Sequence, residues 1–178
     1  PYFSEGMKAA SYEIIEVLED GIDHVVLPVG NGSLLIGMVK GFQELLEAGV
    51  IAKIPKFHGV QAEAVRPVVA SLNGEEWSHA HALTTKASGI AVSKPPRLAE
   101  MIEAIKSTGG SGVTVSEESL SEWQSRLAAS EGVFAEMTSA GAFAGLVKLI
   151  ESDVIDSDSN VCIPITGSGL KEPLNRQF

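Results

Sequence analysis

Four short apolar runs, each followed or preceded by a segment of helical period, constrain this chain more than any other feature. They are "HVVLPV" (24–29), "KFHGVQAE" (56–63), "SGVTVS" (111–116) and "VCIPIT" (161–166). The first is almost wholly apolar and rich in β-branched residues, which suits a strand covered on both faces better than an alternating edge strand. Parallel strands need long crossovers, and helices make compact right-handed ones. The alternation therefore predicts a three-layer α/β fold: a mainly parallel sheet with helices on both faces, in a single domain over residues 1–178. In such a sheet ligands sit at the carboxyl ends of the strands.

The intervening segments carry helix signals. Met7, Ala10, Ile14, Ile15 and Leu18 recur at steps of three and four, predicting a helix over 4–18 with Ser4 as cap and a left-handed turn at Gly21. Leu34, Leu35, Met38, Val39, Phe42, Leu45 and Leu46 predict a helix from Ser33 to Ala48, closed by Gly49. "AEAVRPVVASL" reads as a short helix interrupted at Pro67, and another helix is expected from Pro95 or Pro96. Ser116 should cap the helix that begins "EES", and "SAGAFAGLVKLIES" should form the last one. Residues 73–87 have neither period and read as loop, as does "SGIAVSKPPR".

At 178 residues and 44% hydrophobic content the chain can bury one sizeable core. Lys and Arg total 13 against 23 Asp and Glu, and a net charge of −10 argues against nucleic acid. No apolar run approaches the ~20 residues that cross a bilayer, so no membrane partner is expected. The single cysteine, Cys162, permits no disulfide framework, is expected in the core, and points to a reduced, cytoplasmic setting.

The stretch "LPVGNGSLLIG" (27–37) carries the chemistry. Gly30 to Gly32 lies where a strand ends and a helix begins, so bare backbone N–H groups and the positive helix end converge on one spot. That geometry suits an anion. A dinucleotide fingerprint fails, because Leu35 stands where the third glycine belongs, and no Gly-Lys-Ser/Thr follows for a nucleoside triphosphate. A second glycine turn, "PITGSGLKEP", ends another strand and should share the same edge. Thr166 there can bond one ring nitrogen while the Gly30–Ser33 amides hold one phosphate, so a small phosphorylated heterocycle fits the pair. A tight turn with no ligand is the alternative reading of the loop alone.

These residues resemble the pyridoxal-phosphate enzymes of the tryptophan synthase β superfamily (fold type II), and within them the threonine synthase family. The likeness spans the chain in order. "PYFSEGMKAASYEI" resembles the E-G-x-K-x-x-x-x-E helix, "VVLPVGNGSLLIG" the phosphate loop, and "HGVQAEAVRP" the strand and turn that follow. "EGVFAEMTSAGAFAGLVKL" resembles the E-G-x-F-x-E-P-x-S-A segment and "ITGSGLKEP" the T-G-x-G-L-K-[DE]-P tail. By this resemblance Gly30, Asn31, Gly32, Ser33 and Leu34 would cradle the phosphate of pyridoxal phosphate, and Thr166 would face the pyridine nitrogen. Two departures stand out: Met137 replaces the usual proline, and Gly-Ser-Leu replaces a second asparagine in the loop.

The family binds its cofactor covalently through a lysine in an S-x-K-x-R type stretch, and this chain has none; Lys8, Lys40, Lys86, Lys94 and Lys171 lack that context. The resemblance therefore implies the carboxy-terminal part of a longer lyase that turns O-phosphohomoserine and water into threonine and phosphate. It also implies the amino-terminal part of the same enzyme as partner, an exposed apolar flank, and a homodimer. Threonine or serine dehydratase, cysteate synthase, and a non-catalytic anion-binding module are the alternatives. Elsewhere, His58, His79 and His81 read as loop or surface histidines without metal-ligand spacing, "DVIDSDSN" as a solvated turn, and Trp77 and Trp123 as packing residues. Thr84-Thr85-Lys86 resembles the family's entry to a segment lining the site.

Overall fold

A computed structural model describes residues 2–18, 21–81 and 84–171. Among these, seven α-helices and four strands follow in the order α1 (Tyr2–Gly6), α2 (Ala9–Val17), β1 (His24–Pro28), α3 (Ser33–Glu47), β2 (Lys56–Ala62), α4 (Pro67–Leu72), α5 (Leu98–Ser107), β3 (Gly112–Val115), α6 (Glu117–Glu131), α7 (Met137–Glu151) and β4 (Val161–Cys162). Single 3-10 turns occupy His79–His81, Ser88–Ile90 and Gly169–Lys171. The sheet order is β3-β2-β1-β4 and every pair is parallel. Among the described residues no helix is long and apolar enough to cross a membrane.

β1 divides the core. Val25 and Leu27 point into one cluster with Met38, Phe42, Phe57, Met101 and Ile105, which α3 and α5 cover. Val26 points the other way, into a cluster with Val60, Leu120, Ala142 and Leu149 beneath α6 and α7. All three β1 side chains are fully buried, which is why the run lacks the polar alternation of a half-solvated strand. Phe42 and Phe57 meet edge to face at 5.7 Å, and full burial of each such side chain contributes about 1.5–3 kcal/mol. Gln61, buried on β2, spends both ends of its amide: Nε2 donates to Val29 O at 3.0 Å, and Oε1 accepts from Val68 N and Val69 N in the first turn of α4. It thereby fixes the residue before Gly30 to the next crossover.

Several expected boundaries shift, each for a local reason. The helix expected over 4–18 is two helices broken around Gly6-Met7-Lys8, and Ser4 is not a cap. It sits buried inside α1 and accepts from Arg97. Both short helices lie on α3, with Lys8 bridging Glu5 and Glu44 at 2.7 Å each. Pro67 opens α4 at its first position, where a missing N–H costs nothing, so it does not interrupt a helix. α5 starts at Leu98, beyond both prolines, while α7 starts two residues earlier than expected. Ser116 does cap α6, accepting from Ser119 N at 3.2 Å. β4 pairs over only two residues, since Pro164 has no N–H to give a ladder. Cys162 there is half-buried against the first core, and burial raises its thiol pKa.

Candidate functional site

The two glycine turns leave neighbouring parallel strands. β1 pairs with β4 through His24 with Val161 and Val25 with Cys162, so the chain after Pro28 and the chain after Pro164 emerge at the same carboxyl edge. Gly32 caps α3 with φ +79°, the left-handed region open to glycine, and the first helical bond runs from Ile36 N to Gly32 O at 2.9 Å. The amides of Ser33, Leu34 and Leu35 thus begin the helix without intrahelical partners, and no acidic residue occupies its first turn. Gly30 and Gly32 are buried, Asn31 is exposed, and Ser33 and Leu34 are half-buried, with Leu34 packed against the first core.

A strap formed by residues 86–92 roofs this loop. A Cβ on Gly30 would stand 2.6 Å from Gly89 O and 3.2 Å from Ile90 Cα, both rigid backbone atoms. Ala87 and Ile90 anchor the strap in the second core. Residues 86–92, which showed no period in the sequence, therefore follow the glycine turn instead of wandering over the surface. Trp77 ties its far end by donating from Nε1 to Ser93 O at 3.0 Å.

The start of α7 completes the edge. Glu136, buried at its N-cap, pairs with Lys171 at 2.6 Å and donates its backbone N–H to Gly167 O at 2.9 Å. A side chain at Gly167 would collide with the Glu136 carboxylate. Glu136 therefore seats the turn that carries Thr166, whose own side chain is exposed at the edge. Thr138 Oγ1 accepts from Gly89 N at 3.1 Å. Ser139, one residue on, is fully buried and its Oγ has no partner among the described residues. Sequence reasoning placed these residues inside the "EGVFAEMTSAG" segment but assigned them no role. Their signal was the motif itself; their partners lie more than 30 positions away in sequence or across a turn.

At the opposite, amino edge, the histidines overturn one expectation. His58 is no loop or surface residue: it is wholly buried on β2, its Nε2 2.9 Å from Nδ1 of His24 and its Nδ1 2.9 Å from Ser111 Oγ. Burial, then the neighbouring His24 and Lys56, pulls its pKa down to about 4. Desolvation lowers His24 likewise. Among the described residues no cluster could hold a metal ion. Trp123 stacks on Phe143 at 6.1 Å under Arg126, a packing role as expected. Glu172 and Pro173 of the tail motif lie outside the described residues.

The glycine turn at the carboxyl edge suits an anion of phosphate size. Gly30 and Gly32 have no room for a Cβ and the α3 amides start unpaired, while the Ser139 hydroxyl in the first turn of α7 is buried with no partner among the described residues.

Comparison with known proteins shows the family. The family "Pyridoxal-phosphate dependent enzyme" matches residues 1–167. The chain is 35% identical over 176 residues to threonine synthase of Methanocaldococcus jannaschii, covering 97% of this chain and 44% of that protein. It is also 35% identical over 173 residues to threonine synthase of Mycobacterium tuberculosis, covering 97% and 46%. The chain thus spans less than half the length of these curated relatives. Among solved structures, the processed form of threonine deaminase isoform 2 from Solanum lycopersicum shares the fold with a TM-score of 0.72 at 23% identity, over 92% of this chain and 45% of that one. Serine racemase from Dictyostelium discoideum shares it with a TM-score of 0.70 at 22% identity, over 92% and 49%.

Proposed function

The chain belongs to the pyridoxal-phosphate dependent enzymes, and from that premise we propose that it is the carboxy-terminal, cofactor-phosphate-binding domain of a threonine synthase. The observation that supports this most is the roofed glycine loop at the start of α3, with the Thr166 turn on the adjacent strand. Relatives at 35% identity that are named threonine synthase favour that activity over a dehydratase.

In this reading the amides from Gly30 to Leu34 and the Ser33 hydroxyl hold the phosphate dianion, with the α3 dipole adding to the attraction. Thr166 would offer the pyridine nitrogen a neutral hydroxyl rather than a carboxylate. Glu136 keeps the Thr166 turn in place and Lys171 balances its charge. Bound there, pyridoxal phosphate supplies an electron sink for reaction at the substrate's carbon atoms. None of the lysines here stands in an S-x-K-x-R context, so the group that moves protons at those carbons is assigned to the amino-terminal part of the same enzyme. That part, a second copy of the enzyme, and O-phosphohomoserine as substrate complete the proposal, with the cytoplasm as its setting.

Assaying the full-length protein tests it: phosphate release from O-phosphohomoserine is expected, with ammonia release from threonine slow. The reverse ranking would assign a dehydratase. Neither release, together with phosphate binding by this chain alone, would leave an anion-binding module.

A further inference from the structure

The strap 86–92 presses on the glycine loop, and besides Ala87 and Ile90 in the second core its backbone has few ties to the rest of the fold. It contains one 3-10 turn, pairs with no strand among the described residues, and is fixed at its backbone by two side chains from different helices. Glu117 Oε2, at the first position of α6, accepts from Lys86 N at 2.9 Å. Thr138 Oγ1, in the first turn of α7, accepts from Gly89 N at 3.1 Å. The other Glu117 oxygen, Oε1, is buried with no partner among the described residues. An orphaned buried carboxylate oxygen is costly. It is tolerable here because the helix start favours negative charge, and because its twin oxygen makes the bond that ends the strap. From Gly89 the contact passes directly to Gly30, whose Cα has no space on the strap side.

We infer that Glu117 and Thr138 are positioning residues for the phosphate cradle. Neither touches the anion. Together they hold the strap down, the strap holds Gly30, and Gly30 sets where the amides of the α3 turn point. This rests on the reading of Gly30–Leu34 as an anion site. By thermodynamic reciprocity, an anion in the cradle must also tighten the strap.

The probe is inorganic phosphate, followed through the amide signals of Gly30, Gly32 and Ser33 in the chain. The variants are Thr138→Val and Glu117→Leu, which lose the acceptor, and Thr138→Ser and Glu117→Gln, which keep one. Thr138→Val and Glu117→Leu should each raise the Kd for phosphate about fivefold or more, while Thr138→Ser and Glu117→Gln stay within about twofold of the parent. Phosphate should slow hydrogen exchange at Lys86 and Gly89 in the parent chain, a change that a merely structural tether would not show. A Kd unchanged in folded Thr138→Val and Glu117→Leu, or exchange at Lys86 and Gly89 indifferent to phosphate, overturns the inference while leaving the cradle intact. Absence of any phosphate response in the parent overturns the cradle, and the strap's role with it. Should Glu117→Leu not fold, Thr138→Val and the exchange measurement decide.

Discussion

Acid should loosen this protein well before its carboxylates titrate, through His58. The ring is fully buried, with one nitrogen against His24 and the other against Ser111. The groups around the pair are Lys56 beside both rings, with Lys53, Asp23 and Asp156 nearer His24. Its folded pKa is about 4 against 6.5 for an exposed histidine. Between those values the unfolded chain carries a proton that the folded chain refuses, so stability rises with pH across the window and is lost as pH falls from 6.5 toward 4. At about 1.4 kcal/mol per pH unit, moving from pH 7.5 to pH 5 removes about 2 kcal/mol, and the full loss near pH 4 is about 3 kcal/mol. For a chain of this size, 2 kcal/mol lowers Tm by roughly 4–8 °C. His24, lowered in the same direction, adds to the slope. The paired carboxylates Glu5, Asp23, Glu44 and Glu75 are all depressed and give up their contribution only below their own range, so pH 5 isolates the histidines. Urea unfolding at pH 7.5, 6 and 5, with imidazole titration by NMR, checks the sign and the size. His58→Leu, of similar volume, should flatten the profile. Stability unchanged between pH 7.5 and 5, or a His58 ring that titrates above pH 6, would refute the reasoning.

Three further outcomes follow from contacts at the carboxyl edge and beneath it. Gly30→Ala puts a methyl 2.6 Å from Gly89 O, and should cost about 1–3 kcal/mol of stability and weaken phosphate binding about tenfold or more, by calorimetric titration. Ser139→Ala deletes a buried hydroxyl without a partner among the described residues and should stabilise the ligand-free chain by about 1 kcal/mol, raising its Tm by roughly 2–4 °C in a thermal scan. Gly145→Ala brings a methyl within 2.5 Å of Val60 on β2 and should destabilise by about 1–3 kcal/mol in urea, because α7 must lift from the sheet.

The four strands and the helices on both faces of a parallel sheet were legible because apolar periodicity decides them. β1 reads as doubly covered, and Val25, Val26 and Leu27 are all fully buried. What stayed illegible depends on single polar contacts between distant positions. Nothing local in "KFHGVQAE" distinguishes a surface histidine from one whose partners are 34 and 53 residues away. The same holds for the strap 86–92. It reads as loop and holds only the 3-10 turn Ser88–Ile90, yet its position over Gly30 is fixed by Glu117 and Thr138, 31 and 49 residues beyond the amides they hold. The Gly30–Gly32 loop itself was legible because a strand, two glycines and a helix start are contiguous. Its roof and the Glu136 seat of the second turn were not, since they exist only once α6 and α7 have returned to the edge.

A net charge of −10 raises an apparent conflict with an anion site, and its resolution is testable. At physiological salt the field of a distant charge is screened within about 8 Å, so the cradle feels only its surroundings. The first turn of α3 holds no acidic side chain. Glu136, buried at this edge, is paired with Lys171 at 2.6 Å. Amide dipoles fixed at the helix start then supply the attraction at short range. If this local field governs, phosphate affinity at pH 7.5 should change less than about threefold between roughly 0.05 and 0.5 M sodium chloride. If the net charge of the chain governed instead, screening would relieve the repulsion and salt would tighten binding. A tenfold gain in affinity at high salt would therefore sink the assignment of the attraction to the α3 amides.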